Sequence, residues 1–142
     1  MTEIIAPYIL AREYRCRCCD ALPPDFYPQD IAMPFSILFE GFALIREAYG
    51  KPLIICSGYR CPVHNALVGG ESMSVHLFGL ALDINLPDVK SVYQLDSICE
   101  DLIHDFRRGA YTKGQSFLHI DCGYMIYPRG SEKWYRGARW SG

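Results

Sequence analysis

Apolar residues recur at helical spacing in two parts of the chain. Between Pro34 and Tyr49 they return every three or four positions, which is the period of an amphipathic helix, and Gly50 and Pro52 then end it. Residues 89–107 show the same spacing and predict a second helix.

Short apolar or alternating runs predict three strands, at residues 53–56, 80–86 and 117–122. Residues 57–74 are rich in Gly, Pro, Asn and Ser and predict a segment that is largely loop, with room for a short helical turn after Pro62. The prolines within residues 1–30 predict an irregular lead-in. Together the patterns predict one small α+β domain over residues 1–142, with short and partly antiparallel strands.

Composition agrees with a single globular domain. The chain has 142 residues, of which 50% are hydrophobic and 21% charged, enough for one hydrophobic core. The formal net charge of −2 and the lack of a Lys- or Arg-rich block argue against nucleic-acid binding. Arg107-Arg108 and the tail from Arg129 to Arg139 are interpreted as solvated surface.

The sequence offers no membrane segment. No apolar run approaches the roughly 18–20 residues that cross a bilayer. The first ten residues lack the basic region and long apolar stretch of a secretory signal peptide. We therefore expect no membrane insertion and a protein that is cytoplasmic as synthesised.

Seven cysteines are present, an odd number that argues, with no export signal, against a disulfide framework. Cys16, Cys18 and Cys19 suggest a metal site, but no second Cys or His pair at a suitable spacing completes four ligands. Two interpretations stay open, a structural zinc and small buried side chains in a reducing compartment, and the second is favoured.

His76 and Asp83 form the first candidate metal pair. Their separation of seven would turn them to opposite faces of a continuous strand, but Gly79 between them permits a turn that lets the side chains converge. Imidazole and carboxylate suit a catalytic zinc, which takes three protein ligands and keeps one position open.

A second candidate pair lies in the predicted strand at 117–122. His119 and Asp121 alternate with apolar residues, so both face the same side of the strand. A histidine in such a run needs a polar partner, and a core histidine bonded to a carbonyl is the alternative. Of the other histidines, His104 is expected to be solvated, whereas His64 suits a position near the site or on the surface.

Arg60 follows a predicted buried strand on a glycine-bearing turn. Its planar guanidinium suits bidentate recognition of a carboxylate. A structural role, in which it binds loop carbonyls, is equally compatible with the sequence.

The run SGYRCPVHNALVGGESMSVHLFGLALDI, followed by FLHID, resembles the hedgehog/D,D-peptidase superfamily. This superfamily includes zinc D-Ala-D-Ala carboxypeptidases and phage L-alanyl-D-glutamate endopeptidases, and the chain looks most like its short, phage-type carboxypeptidase-like domains. The resemblance extends from about residue 35 to residue 119 and beyond. It implies a small, mostly antiparallel sheet with flanking helices.

The resemblance also implies a site. One zinc ion per chain would be held by His76, Asp83 and His119, and Arg60 would bind the substrate carboxylate. Two further motif residues would support the ligand loop, namely Ser74 and Asn65.

The general base is left open by the sequence. Several family members have an acidic residue three positions before the last histidine, where this chain has Ser116. Asp121, on the same strand face as His119, is the favoured replacement, and Glu71 is its rival.

The implied function is a metallopeptidase that hydrolyses peptidoglycan stem peptides containing D-amino acids. It would act as a D,D-carboxypeptidase or an L-Ala-D-Glu-type endopeptidase in phage or prophage cell-wall lysis, reaching the wall through a holin or through lysis. We expect a monomer. The alternative is a catalytically weak zinc module that binds wall peptides or serves as a structural virion component.

Overall fold

The computed structural model describes residues 3–24, 26, 34–126 and 136–142. Four helices and seven strands follow one another in this region: β1 (Ile4–Ala6), β2 (Ile9–Leu10), α1 (Ala11–Tyr14), α2 (Pro34–Tyr49), β3 (Ile54–Ser57), α3 (Pro62–Leu67), β4 (Ala81–Asn85), α4 (Val89–Leu102), β5 (Arg107–Tyr111), β6 (Phe117–Asp121) and β7 (Arg139–Ser141). Two short 3-10 helices are also present: Val75–Phe78 precedes β4, and Gly123–Met125 follows β6.

Five strands form the main sheet in the order β3-β4-β6-β5-β7. All neighbours pair antiparallel except β7, which runs parallel to β5. The predicted α+β class with a small, mostly antiparallel sheet is therefore confirmed.

The two faces of the sheet have different roles. On β4 and β6 the alternate residues Leu82, Ile84, Leu118 and Ile120 are fully buried and belong to one core with α2 and α4. Because successive side chains point to opposite faces, the residues between them lie on the other side of the sheet. That second face carries the polar residues that the sequence singled out.

The lead-in is more ordered than its prolines predict. β1 and β2 form a small antiparallel hairpin, and Ile9 and Tyr14 are fully buried in the core. The Tyr14 hydroxyl donates a hydrogen bond to the carbonyl of Gly79 at 2.6 Å. Residues 1, 2, 25 and 27–30 of the lead-in lie outside the described residues.

The prediction that Arg107 and Arg108 are solvated is wrong. The helix predicted to reach residue 107 ends at Leu102, and the two arginines open strand β5, where they are 6% and 1% exposed. Arg108 Nε pairs with Asp96 of α4 at 2.9 Å, and its Nη2 pairs with Glu100. Such ion pairs offset the cost of burying a guanidinium.

Two expectations concern membranes and the tail. Among the residues described, no helix is long and apolar enough to cross a membrane. In the basic tail, residues 127–135 lie outside the described part of the chain, whereas the side chains of Arg136 and Arg139 are 63% and 53% exposed.

Candidate metal centre

One row of residues crosses all five strands of the main sheet. Strand register aligns Ser57 with Asp83, Asp83 with His119, His119 with Gly109, and Gly109 with Trp140. Side chains at directly opposed positions share a face and lie close together. Residues from distant parts of the sequence are thus brought side by side by strand pairing alone.

His76 reaches this row from the 3-10 helix Val75–Phe78. The helix begins at Ser74, whose hydroxyl accepts the His76 N–H at 3.2 Å, and ends at Gly79 with φ +72°. A side chain at Gly79 would overlap the Tyr14 hydroxyl and Pro23. The predicted turn at Gly79 is present, and Ser74 caps the ligand loop instead of touching the imidazole.

The ligand atoms of His76, Asp83 and His119 all lie within 4.8 Å of one another. His76 Nε2 is 3.2 Å from Asp83 Oδ2, and His119 Nδ1 is 2.8 Å from Asp83 Oδ1. The three residues are buried, none being more than 9% exposed. The structure therefore brings together the three residues that the sequence selected.

The hydrogen bonds of His76 fit a metal ligand. Its Nδ1 lies 2.6 Å from the carbonyl of Gly58, which requires the proton on Nδ1 and leaves a lone pair on Nε2. Among the residues that the structure describes, Nε2 is buried without a hydrogen-bond partner, although it lies 3.2 Å from Asp83 Oδ2. Burial lowers the pKa of His76 and keeps it neutral. A lone pair that faces a carboxylate oxygen in a buried site fits a bound cation.

His119 lies between two carboxylates. Its Nδ1 faces Asp83, and its Nε2 lies 2.6 Å from Asp121 Oδ2. Burial opposes the charge of His119, but its hydrogen bonds to Asp121 and Asp83 outweigh burial and raise its pKa to about 9. The Nε2–H group donates to Asp121, so Nε2 keeps its proton. A metal ion would bind Nδ1 and displace the proton there.

Asp121 is engaged on both oxygens and fully buried. Oδ1 accepts from Arg107 Nε and from the N–H of Gly123, both at 2.8 Å, while Oδ2 accepts from Arg107 Nη2 at 2.9 Å and faces His119. Burial would raise the pKa of Asp121, but His119 and Arg107 hold it below its ordinary value. Asp121 therefore orients His119. Arg107, the partner of Asp121, was not predicted from the sequence.

Arg60 is held beside the three candidate ligands. Its Nε donates to Ser57 Oγ at 3.1 Å, its Nη1 to Asn65 Oδ1 at 3.1 Å, and its Nη2 to Asp83 Oδ2 at 3.3 Å. Asn65 also donates to the carbonyl of Glu71 at 2.8 Å, which joins this loop to the segment before His76. The guanidinium is thus fixed in direction.

The site opens onto a cavity of about 750 Å³. Its lining includes the three candidate ligands together with Arg60, Arg107, Arg139, Glu71, Asp121, Tyr111, Phe117 and Trp140. Trp140 packs against Gly109, where a side chain would overlap the indole, and its ring lies 5.3 Å from that of His119. This position of Trp140 was not predicted from the sequence, because strand β7 was not predicted.

The other two histidines lie apart from this centre. His104 has 70% of its side chain exposed, as expected. His64 is half-buried on α3 and does not line the cavity among the residues described.

The favoured interpretation of the cysteines as small buried residues is wrong for Cys18 and Cys19, which are exposed. A fourth thiol, missing from the local sequence, comes from Cys61. It is 42 positions beyond Cys19, so only the fold could reveal it.

The cavity wall carries two imidazoles and one carboxylate, which is the donor set of a catalytic zinc centre. Fold and site together define the class of hydrolytic metalloproteins. Residues 15–121 match the family model of Peptidase M15, and the chain belongs to this family. It is accordingly a peptidase from a zinc-dependent family. No curated protein matches the chain.

Proposed function

We propose that this chain is a zinc peptidase that hydrolyses peptide bonds in peptidoglycan stem peptides. The observation that carries the proposal is the buried set of His76, Asp83 and His119, which opens onto a cavity whose wall also bears arginines. When bound there, zinc supplies Lewis-acid chemistry, because it polarises a peptide carbonyl and makes water acidic near neutral pH.

Arg60 binds the substrate carboxylate in this proposal. Within the described residues, three of its five N–H groups have acceptors, on Ser57, Asn65 and Asp83. The remaining two suit a terminal or side-chain carboxylate of the peptide. Because the guanidinium is held from three sides, binding of that carboxylate also orients the scissile bond.

Proton transfer is assigned to Glu71 and not to Asp121. Asp121 is fully buried, its two oxygens accept from Arg107 and Gly123, and it orients His119. Glu71 lines the cavity, is exposed, and is fixed through its backbone by Asn65. A general base must reach the water that attacks the substrate. Both carboxylates line the cavity, but Glu71 is exposed, whereas Asp121 is fully buried and its oxygens are already engaged by donors.

The cavity suits a short peptide that carries a carboxylate for Arg60. Its wall combines three arginines and three carboxylates with an aromatic side, namely Arg60, Arg107, Arg139, Glu71, Asp83, Asp121, Tyr111, Phe117 and Trp140. Peptidoglycan stem peptides offer carboxylates together with small D-residues, which suits both sides. Participation in phage or prophage wall lysis is part of the same proposal and depends on the resemblance of the motifs.

Digestion of purified peptidoglycan by the zinc-loaded protein, with products read by mass spectrometry, tests the substrate. Release of D-Ala would support the carboxypeptidase form, and cleavage after L-Ala would support the endopeptidase form. Saturable binding of muropeptides without any turnover would contradict the proposal and favour the non-catalytic module.

Glu71→Gln tests the base. We expect kcat to fall by about 10²-fold or more while zinc content is unchanged, because only proton transfer is removed. Glu40→Gln is the matched control, since Glu40 is exposed on α2 and does not line the cavity. Near-normal hydrolysis by Glu71→Gln would transfer the role to another group.

Arg60→Lys tests carboxylate recognition. Loss of one charge-assisted hydrogen bond, about 1.5–3 kcal/mol, should lower kcat/KM by roughly 10- to 100-fold on substrates with a free carboxylate. Amidating that carboxylate should lower the kcat/KM of the wild-type protein by a similar factor, and should lower the kcat/KM of the variant little further. Equal sensitivity of both proteins to amidation would remove Arg60 from this role.

A further inference from the structure

Four cysteine thiols converge at the junction between the lead-in and the loop before α3. The sulfurs of Cys16, Cys18, Cys19 and Cys61 all lie within 4.8 Å of one another. Cys18 Sγ is 3.4 Å from Cys61 Sγ, and Cys16 Sγ is 3.7 Å from Cys18 Sγ. All four are free thiols, and these sulfur–sulfur distances are far longer than the roughly 2.05 Å of a disulfide bond.

These separations are close to those of a zinc–thiolate tetrahedron. Four sulfurs at about 2.3 Å from one zinc ion stand about 3.8 Å apart. A cluster of several iron atoms would spread its thiolates farther than a single ion does. The spacing of the thiols therefore fits one ion.

The backbone is folded to present three of the thiols together. The N–H of Cys16 donates to the carbonyl of Ala21 at 3.0 Å, and the N–H of Asp20 donates to the carbonyl of Cys16 at 2.8 Å. Asp20 has φ +59°, a left-handed conformation that Asp tolerates better than most residues. This closed turn curls residues 16–19 around a common centre.

Backbone donors face two of the sulfurs. The N–H of Cys61 points to Cys16 Sγ at 3.3 Å, and the N–H of His64 points to Cys61 Sγ at 3.4 Å. Hydrogen bonds of this kind stabilise thiolates and hold ligating side chains in place. The first of them links the two chain segments that supply the thiols.

We propose that Cys16, Cys18, Cys19 and Cys61 hold a structural zinc ion, a second metal site distinct from the cavity centre. A complete set of four thiolates leaves no open position for substrate, which is the mark of a structural site. Soft sulfur ligands in a tetrahedral arrangement select zinc over hard cations such as Mg²⁺. The expected content then rises from one zinc ion per chain to two.

The ion would fix the loop that carries Arg60. Cys61 is the next residue in the chain, and the preceding Tyr59 donates its N–H to the carbonyl of Tyr14 at 2.8 Å. Arg17, inside the cysteine turn, donates to the carbonyl of Ile55 in β3 at 3.1 Å. The cysteine site therefore fastens the lead-in to the segment that supplies Arg60.

Zinc counting tests the proposal without measuring activity. Protein that is kept reduced, loaded with zinc and desalted should hold two zinc ions per chain by mass spectrometry of the metals. His76→Ala should hold one, and so should the double variant Cys18→Ser/Cys19→Ser, whose sites are exposed and tolerate serine. Cys56→Ser is the matched control, an exposed cysteine outside the cluster, and should still hold two.

Cobalt provides a second readout that needs no cysteine variant. In the His76→Ala background, Co²⁺ should give the strong sulfur-to-metal charge-transfer absorption of thiolate ligation, even if the serine variants fail to fold. Absence of that absorption, no zinc in His76→Ala, a disulfide within the cluster, or iron in place of zinc in the protein as isolated would each overturn the assignment. Because these outcomes concern the cysteines alone, they are separate from any failure of the peptidase proposal.

Discussion

Replacing Asp121 by asparagine removes one charge and changes one oxygen into an amide NH2 group. Four donors meet the two carboxylate oxygens, two on each, from Arg107, Gly123 and His119. In either orientation of the new amide, its NH2 group therefore faces two N–H donors. No rotation of the side chain can restore the lost pair of hydrogen bonds.

The expected loss of stability is large because Asp121 and Arg107 are both buried, at 0% and 6% exposure. Removing one partner of a buried ion pair costs about 3–5 kcal/mol, since the other charge is left without compensation. The two lost charge-assisted hydrogen bonds, at about 1.5–3 kcal/mol each, give an overlapping range of about 3–6 kcal/mol. A domain of this size is stable by only about 5–15 kcal/mol, so the variant is expected to lose a large part of its margin.

Urea unfolding at pH 7, with and without chelator, measures this loss. We expect the midpoint to fall with the m-value unchanged, and the variant to bind zinc about 10- to 100-fold more weakly because His119 loses its orienting partner. Glu71→Gln makes the same chemical change on an exposed carboxylate and should leave stability within about 0.5 kcal/mol of wild type. A loss below about 1 kcal/mol in Asp121→Asn would refute the proposed role of the buried pair.

Three further outcomes are expected. His76→Ala should lower the zinc content of the loaded protein by one ion per chain, and unchanged content would exclude it as a ligand. Zinc must displace the proton of His119, whose pKa is about 9, so affinity should rise about tenfold per pH unit between about pH 6 and 8 in competition titrations; a flat profile would contradict this. Gly79→Ala should unfold at a lower urea concentration than Gly50→Ala. Both glycines have a left-handed backbone, but only a side chain at Gly79 would also overlap neighbouring atoms. Equal urea midpoints would contradict an effect of this overlap.

The spacing of apolar residues predicted the helices and strands whose apolar side chains are buried in the core. α2 occupies Pro34–Tyr49 as its apolar spacing indicates, and β4 and β6 lie within the predicted strands. The same alternation placed His119 and Asp121 on one face, which the register of the sheet bears out. In these segments the local pattern and the tertiary environment agree.

Strand β5 was missed because its sequence, Arg-Arg-Gly-Ala-Tyr, does not look like a buried strand. Its arginines are buried against Asp96, Glu100 and Asp121, which lie elsewhere in the sequence. Ion pairing across such distances leaves no periodic signal. The cysteine cluster was likewise incomplete without Cys61, which lies far from Cys16 in the sequence, and the contact of Arg107 with Asp121 also left no local signal.

Asp83 and His119 are 36 residues apart in sequence but directly opposed on β4 and β6. A slip of one residue between these strands would turn one of the two toward the helices, since side chains alternate with a period of two. An ion bound by both therefore favours the aligned pairing over a one-residue slip, by an amount that grows with the ratio of free zinc to its dissociation constant. Zinc present during refolding would act on strand alignment itself, because it stabilises the register in which both ligands face the cavity.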